Sequence, residues 1–162
     1  MKNEVINLSD LEPNSSSFYL KKYKKNFTLE PCTAGKLIEI SKNFGDFEKL
    51  LSIPTAENIS KISMSLMALE DARTFSKIDV ELFDPITGET EKRAMGGFEL
   101  LTYSIEGISE QWAMYECILR SVGFNEEKAK KVTEDLKDEI HNQMDKALNP
   151  LPVKKKTTKK KK

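Results

Sequence analysis

The sequence predicts a mainly α-helical protein: a small helical domain of about five helices with a short β-hairpin insertion. In three stretches large apolar residues recur at alternating spacings of three and four, which follows the helical turn of about 3.6 residues and puts them on one face. Gly and Pro residues separate these stretches. The predicted domains are a flexible amino-terminal arm, residues 1–17, a helical domain, residues 18–148, and a disordered lysine-rich tail, residues 149–162.

The length of 162 residues indicates a single domain, large enough to bury about two-thirds of its unfolded surface without a metal or a disulfide. The two cysteines, Cys32 and Cys117, are far apart and form no CxxC motif, so we expect two reduced, packed thiols. No apolar run approaches the roughly 20 residues that span a bilayer, and the first ten residues lack the core of a signal peptide. The sequence therefore predicts a soluble cytoplasmic protein without membrane association.

The domain begins with two short β-prone runs, residues 18–23 and 27–29, on either side of a polar turn. This arrangement is typical of a hairpin, and Pro31 ends its second run.

Two short helical segments and a longer helix come next. Thr33 is a plausible cap for a helix over residues 34–43, Gly45 ends that helix, and Asp46 caps a short turn. Thr55 caps the longer helix, which we expect to be buried against the stretch that begins at Phe98. Its apolar residues are spaced three, four and three apart: Ile59, Ile62, Leu66 and Leu69.

Between residues 77 and 93 the apolar period changes from helical to alternating, with Ile78, Val80 and Leu82 pointing to one side of a strand. Residues 84–89, Asp-Pro-Ile-Thr-Gly-Glu, then form a turn. The pattern predicts a β-hairpin or an ordered loop between helices.

The centre of the domain is an apolar seam from Phe98 to Val122. Its first stripe comprises Phe98, Leu101, Ile105, Ile108, Trp112, Tyr115, Leu119 and Val122, and a second comprises Leu100, Tyr103, Met114, Cys117 and Ile118. Gly107 interrupts the seam, and Ser109 can cap a new helix after it, so we predict two helices with a tight corner. The wide apolar surface suits the middle of a helical domain better than a narrow coiled-coil seam.

The last predicted helix covers residues 126–148 and is capped by Asn125. Its apolar face comprises Ala129, Val132, Leu136, Ile140, Met144 and Ala147, and the opposite face alternates basic and acidic residues. Pro150 and Pro152 prevent the helix from continuing.

The residues that could carry out chemistry are few. His141 is the only histidine, and an ordinary surface position explains it better than a catalytic or metal-binding one. The acidic stretch between Asp79 and Glu91 lacks the ligand spacing of an EF-hand and contains the turn already described. No nucleophile motif and no phosphate-binding loop occurs, so we expect no enzyme activity, no cofactor and no metal.

The chain has no net charge, yet its charge is divided unevenly. Seven of the 26 basic residues are tail lysines, which leaves the rest of the chain at about −7. These lysines are Lys154, Lys155, Lys156, Lys159, Lys160, Lys161 and Lys162. They could bind a nucleic-acid backbone, but the tail has no aromatic or arginine residues and the acidic body would repel DNA. A solubilising tail or a tether to an acidic protein explains them better.

Three stretches of the chain resemble the tail assembly chaperones of long-tailed, siphovirus-like bacteriophages. They are FTLEP at residues 27–31, FGDFEKLL at residues 44–51, and GGFELL at residues 96–101 with the helix that leads to SVGF at residues 121–124. The long amino-terminal arm and the extended final helix depart from the compact pattern of that family.

The resemblance implies a small, mostly helical, non-catalytic protein that is absent from the finished virion and acts in the host cytoplasm. It implies binding to the tape-measure protein, which it keeps soluble, and recruitment of the tail-tube protein; self-association is left open. The predicted partner-binding residues are Trp112, Met114 and Tyr115 in the seam, with core as the safer reading for these three, and the seven tail lysines. The alternative function is a nucleic-acid-associated accessory protein that uses the lysine tail.

Overall fold

The computed structural model describes residues 14–148, and this part of the chain is 59% helical, with seven helices and two small two-stranded sheets. The predicted count of about five helices is too low, because Phe47–Ser52 and Leu69–Ala72 form two further short helices, of six and four residues. In chain order the elements are β1 Ser16–Leu20, β2 Lys25–Leu29, α1 Ala34–Phe44, α2 Phe47–Ser52, α3 Ala56–Leu66, α4 Leu69–Ala72, β3 Ile78–Phe83, β4 Thr90–Met95, α5 Phe98–Ser104, α6 Ile108–Ser121 and α7 Glu126–Leu148. Among residues 14–148 no helix is both long enough and apolar enough to cross a bilayer.

The predicted first hairpin forms from β1 and β2 and buries one face in the core. Phe18 lies opposite Phe27, with ring centroids 5.9 Å apart. Leu20 and Leu29 lie on the same face and are fully buried. Because side chains alternate along a strand, Phe18 and Leu20 of β1 and Phe27 and Leu29 of β2 share the buried face.

The strand β1 begins at Ser16, inside the predicted arm. The Ser16 hydroxyl donates a hydrogen bond to the Cys117 carbonyl at 3.0 Å, and the Asn14 amide donates to the Arg120 carbonyl at 3.2 Å. The chain is therefore attached to α6 from residue 14 onward. Residues 1–13 of the predicted arm lie outside the described residues.

The caps predicted for the next three helices are confirmed. Thr33, Asp46 and Thr55 each accept a hydrogen bond from a backbone N–H in the first turn of α1, α2 and α3. Gly45 ends α1 at a φ of 94°, a backbone conformation that glycine adopts without the steric cost of a Cβ.

The predicted apolar face of α3 is wrong at its end, because Leu69 is 71% exposed. The helix stops at Leu66, and Met67 takes an extended conformation that bridges to Leu29 in β2. The Leu66 carbonyl accepts from the Glu30 amide at 2.7 Å. Hydrogen bonding to the first hairpin thus replaces the last turn of α3, and Leu69 starts α4 on the surface.

The second predicted hairpin forms from β3 and β4, and almost all of it lies in solvent. Val80 and Leu82 are half-buried and Met95 is buried, whereas Phe83 is 67% exposed and Ile86 at the tip is 92% exposed. The hairpin therefore touches the core along one side, through Val80, Leu82 and Met95, while its tip lies in solvent.

The predicted corner in the seam is confirmed at Gly107, but not by the predicted cap. Gly107 has an extended backbone, and Ser109 makes no capping hydrogen bond. The buried carboxylate of Glu110 instead accepts from the Glu106 amide at 3.4 Å and from the Lys21 amide at 3.2 Å. This contact satisfies backbone donors at the start of α6 and joins the corner to the first hairpin.

The helices α5 and α6 that form the seam pack against α3, as predicted. Two seam residues are nevertheless exposed: Ile108 at 68% and Tyr103 at 46%. Ile108 is the first residue of α6, so the corner turns it out of the core, and Lys22 Nζ covers the Tyr103 ring at 4.8 Å from its centroid.

The last helix, α7, packs on the domain only as far as Ile140, through residues 126–140. The Asn125 cap is confirmed, and Ala129 is fully buried. Ile140 is half-buried, whereas Met144 and Ala147, predicted on the same apolar face, are exposed. Every residue from 141 to 148 is exposed because no described element covers the end of α7.

Candidate partner-binding surface

The three seam residues predicted to bind a partner lie on α6 in different surroundings. Met114 is fully buried in the core, so a partner cannot touch its side chain in this conformation. Trp112 and Tyr115 are 7% and 4% exposed, and their rings meet edge to face with centroids 5.8 Å apart. The exposed edges of these two rings line two clefts, one on each side of α7. Partner contact by the three residues stays a prediction.

Tyr115 is fixed in place by a hydrogen bond. Its hydroxyl donates to the Leu51 carbonyl, at the end of α2, at 3.2 Å. Burial raises the pKa of Tyr115 above its ordinary value, so the hydroxyl keeps its proton at neutral pH and remains a donor. The contact joins α6 to the α2–α3 connection and holds the ring edge toward α7.

Trp112 is covered from the α7 side by a lysine. Lys137 Nζ lies 5.8 Å from the centroid of the Trp112 ring system and 3.2 Å from a carboxylate oxygen of Glu134. A cation over an aromatic face is attracted by the ring quadrupole, so this contact helps to hold α7 on α6.

The first cleft, here cleft A, lies between α6 and α7 and has a volume of about 560 Å³. Its apolar wall is formed by Ile108, Trp112, Ala113, Ile140 and Met144. Glu116, Glu134, Lys137, Asp138 and His141 add charged or polar groups around it.

The second cleft, here cleft B, lies between α7 and the α2–α3 connection and has a volume of about 670 Å³. Its apolar lining consists of Ile53, Pro54, Tyr115, Val132, Leu136 and Ile140. Asp135 and Glu139 line it on the α7 side, and no Lys or Arg is among its lining residues. Cleft B is thus an apolar surface with a negatively charged edge.

Both clefts expose large apolar side chains to water. Ile53 is 57% exposed in cleft B, while Ile108 and Met144 are 68% and 57% exposed in cleft A. Single exposed apolar residues are ordinary, but here several of them form one apolar patch beside the uncovered end of a helix.

Carboxylates on α7 differ in whether they have a counter-ion. Glu126 pairs with Lys130 at 3.2 Å, and the hydrogen bond and charge of that lysine lower the pKa of Glu126 below its ordinary value. In contrast, Asp135, Asp138 and Glu139 make no ion pair within residues 14–148. Like charges three and four residues apart on a helix repel each other weakly, so a positive ligand would stabilise this segment.

The described residues offer little for catalysis or metal binding. Within residues 14–148 no group of three or more His, Cys, Asp or Glu side chains could hold a metal ion. His141 Nε2 lies 3.4 Å from Asp145, and both side chains are largely exposed. Cys117 is buried, and burial raises the pKa of its thiol. Cys32 is half-buried, and its pKa is raised for the same reason. Both thiols therefore stay protonated and weakly nucleophilic.

The sequence analysis missed two exposed apolar residues that line the clefts. It placed Ile108 on a buried stripe and assigned no role to Ile53, although both are prominent exposed apolar groups. One signal was available: Ile53 precedes Pro54, which disfavours helix at Ile53 and leaves an apolar residue in a connection. Ile108 had no such signal, because its exposure depends on the direction in which α6 leaves the corner.

The seven tail lysines predicted to bind a partner lie outside the described residues. The candidate surface is therefore formed by α6, α7 and the α2–α3 connection, with Trp112 and Tyr115 between the two clefts. No family model, curated protein or solved structure matches this chain.

Proposed function

We propose that this protein is a non-catalytic tail assembly chaperone of a long-tailed bacteriophage, which binds the tape-measure protein in the host cytoplasm and recruits tail-tube subunits. The proposal starts from the resemblance of three stretches between residues 27 and 124. The two clefts beside α7 supply the physical support, because they are where a client could bind.

The observation that carries the proposal is the incomplete cover of α7. A helix with an apolar face is normally buried along its whole length, yet α7 packs on the domain only as far as Ile140, and its last eight residues are exposed. The remaining apolar groups lie beside Ile108 and Ile53, which are also exposed. This surface suits a chain that is itself helical and exposes an apolar stripe, as a long tape-measure protein does.

The gain from such binding can be estimated per residue. Complete burial of an Ile or Met side chain is worth about 1.5–3 kcal/mol, so each of the half-exposed cleft residues contributes about 1 kcal/mol when covered. A few such contacts give reversible binding, which is what a chaperone needs, since it must release its client during assembly.

The test is co-expression of this protein with the tape-measure protein encoded in the same genome. We expect the full chain to keep the tape-measure protein in the soluble fraction and to co-purify with it. The double variant Ile53→Lys with Ile108→Lys changes one exposed residue in each cleft, and we expect it to reduce the captured amount at least about tenfold, since two lost contacts are worth roughly 1.4 kcal/mol or more.

The matched control is Ile86→Lys, which makes the same chemical change at a residue that is 92% exposed on the tip of the second hairpin. It should leave capture unchanged. Equal losses in both variants, or no capture by the full chain, would count against the proposal. If the full chain instead binds duplex DNA with strong salt dependence and loses that binding when residues 151–162 are removed, the alternative function as a nucleic-acid accessory protein is favoured.

A further inference from the structure

Cleft B has a chemical character that defines what would fill it. Its floor is apolar, and the two carboxylates on its α7 side, Asp135 and Glu139, have no cationic partner within residues 14–148. An occupant should therefore combine a short apolar stretch with positive charges that follow it closely.

The chain itself carries such a segment. Residues 151–156 read Leu-Pro-Val-Lys-Lys-Lys, with two large apolar residues directly before three lysines. Along α7, read back from the helix end, the cleft presents Gln143, Ile140, Glu139, Leu136, Asp135 and Val132, so apolar side chains and the two carboxylates alternate beside such a segment.

The segment is close enough to reach the cleft. The described part of α7 ends at Leu148, and at about 1.5 Å of rise per residue Ile140 lies roughly 12 Å before that end. Five residues beyond Leu148 span up to about 17 Å when extended, so Val153 can reach the level of Ile140. Pro150 and Pro152 disfavour continuation of the helix and suit a change of direction.

We propose that residues 151–156 bind in cleft B of the same chain. Val153 covers the near end of the apolar floor at Ile140, Leu151 lies beside Gln143, and the following lysines pair with Glu139 and Asp135. Attachment through α7 makes the binding intramolecular, so that even a weak contact is populated at the high local concentration that a short connection provides.

This binding would regulate client access. If the function proposed above is correct, the segment occupies cleft B until a client with a longer apolar stripe displaces it, which protects the apolar surface in the free protein. That consequence rests on the proposed function, whereas the binding itself involves this chain alone.

The experiment is methyl NMR on the full chain without any client. The reporters are the Ile53 and Ile140 methyl groups, both of which line cleft B. Lys154→Glu, Lys155→Glu and Lys156→Glu together should move these resonances to the positions seen in a chain lacking residues 151–162. Lys160→Glu, Lys161→Glu and Lys162→Glu make the same net change of charge and should leave them in place.

A reciprocal variant tests the cleft side. Glu139→Lys should reproduce the Ile53 shift of the first triple variant, and combining that triple variant with both Asp135→Lys and Glu139→Lys should restore the original Ile53 position, because both carboxylates and their lysine partners are then exchanged. Glu127→Lys, elsewhere on α7, serves as its control. Equal shifts in both lysine triples, or in neither, would overturn the proposal. Shifts that depend on protein concentration would overturn its intramolecular form and assign the contact to a second copy.

The result is separable from the test of function, because no tape-measure protein is present in these samples. A chain that shows the intramolecular contact but captures no client leaves the contact standing and rejects the chaperone role.

Discussion

The two hairpins of this protein have the same antiparallel pairing, but the first is buried and the second is exposed. Each pairs two antiparallel strands, of five residues in β1–β2 and six in β3–β4. In the first hairpin the alternating apolar residues are buried, whereas in the second only Met95 is. The difference shows that alternation predicts a strand but does not determine how much of that strand is buried.

The first hairpin is held by contacts from several helices. Its backbone is bonded to the Asp71 carboxylate at 2.8 Å, to the Glu110 carboxylate at 3.2 Å, and to the end of α3 through Met67. A two-stranded hairpin is marginal in water without such support. The second hairpin has few of these contacts, so we expect it to open without unfolding the rest of the protein.

The largest expected effect comes from removing a ring in the first hairpin. Phe27 is fully buried and lies 5.2–5.9 Å, between ring centroids, from Phe18, Tyr23 and Phe75. Phe27→Ala leaves a cavity and should lower the free energy of unfolding by about 4 kcal/mol, measured by chemical denaturation. Phe83→Ala in the second hairpin should change it by less than about 0.5 kcal/mol. A similar loss of unfolding free energy in the two variants would show that both hairpins contribute equally to stability, contrary to this comparison.

An intermediate effect concerns Asp71, which accepts from the Thr28 amide at 2.8 Å and from Lys25 Nζ at 2.9 Å. Burial acts to raise the pKa of Asp71, but the hydrogen bonds and the lysine charge outweigh it and hold the pKa below its ordinary value of 3.8. The contact therefore stabilises the fold fully above pH 3.8, and the stabilisation is lost as the pH falls through the lower pKa of the folded state.

The corresponding variant is Asp71→Asn, which should lower the free energy of unfolding by about 2 kcal/mol at neutral pH. The difference from the original chain should shrink in acid, where Asp71 is protonated. Asp84 provides the comparison, because the Ile86 amide holds the pKa of its carboxyl low on the second hairpin. Asp84→Asn should leave the pH dependence of global unfolding unchanged; a loss like that of Asp71→Asn would mean that the second hairpin unfolds with the core.

The smallest global effect is expected at Gly88, in the turn of the second hairpin at a φ of 71°. Gly88→Ala strains the turn by about 1 kcal/mol, which should speed hydrogen exchange of the β3–β4 amides about fivefold. Global unfolding should hardly change. Gly45→Ala makes the same change at a φ of 94° at the end of α1, and there the cost should be visible in global unfolding. A global loss at Gly88 would contradict independent opening.

Much of the fold could be predicted from local patterns. The caps at Thr33, Asp46, Thr55 and Asn125 and the corner at Gly107 were identified because each depends on backbone groups a few residues away. The prediction failed at Leu69 and at the Ser109 cap. At Leu69 a contact from the first hairpin, distant in sequence, replaces the local one, and at the corner Glu110 takes the place of Ser109 while it also accepts from Lys21 of that hairpin.

The candidate site was predicted in part. Trp112 and Tyr115 came from the first stripe of the seam and Met114 from the second, and Met114 lies in the core. Helical spacing shows that residues share a region of a helix surface; it does not show which neighbours cover them. Ile53 was missed because it lies in the connection between α2 and α3, where apolar residues follow no regular spacing.

The sequence by itself determined the helical class, both hairpins, most of the helix ends and the uneven distribution of charge, since these follow from residues close together in the chain. Only the tertiary structure decided that the first hairpin is buried and the second exposed. It also decided that α7 is covered over half its length and that its two sides become clefts. The physical reason is that burial depends on which elements meet, and those contacts join residues up to about a hundred positions apart, such as Ser16 and Cys117.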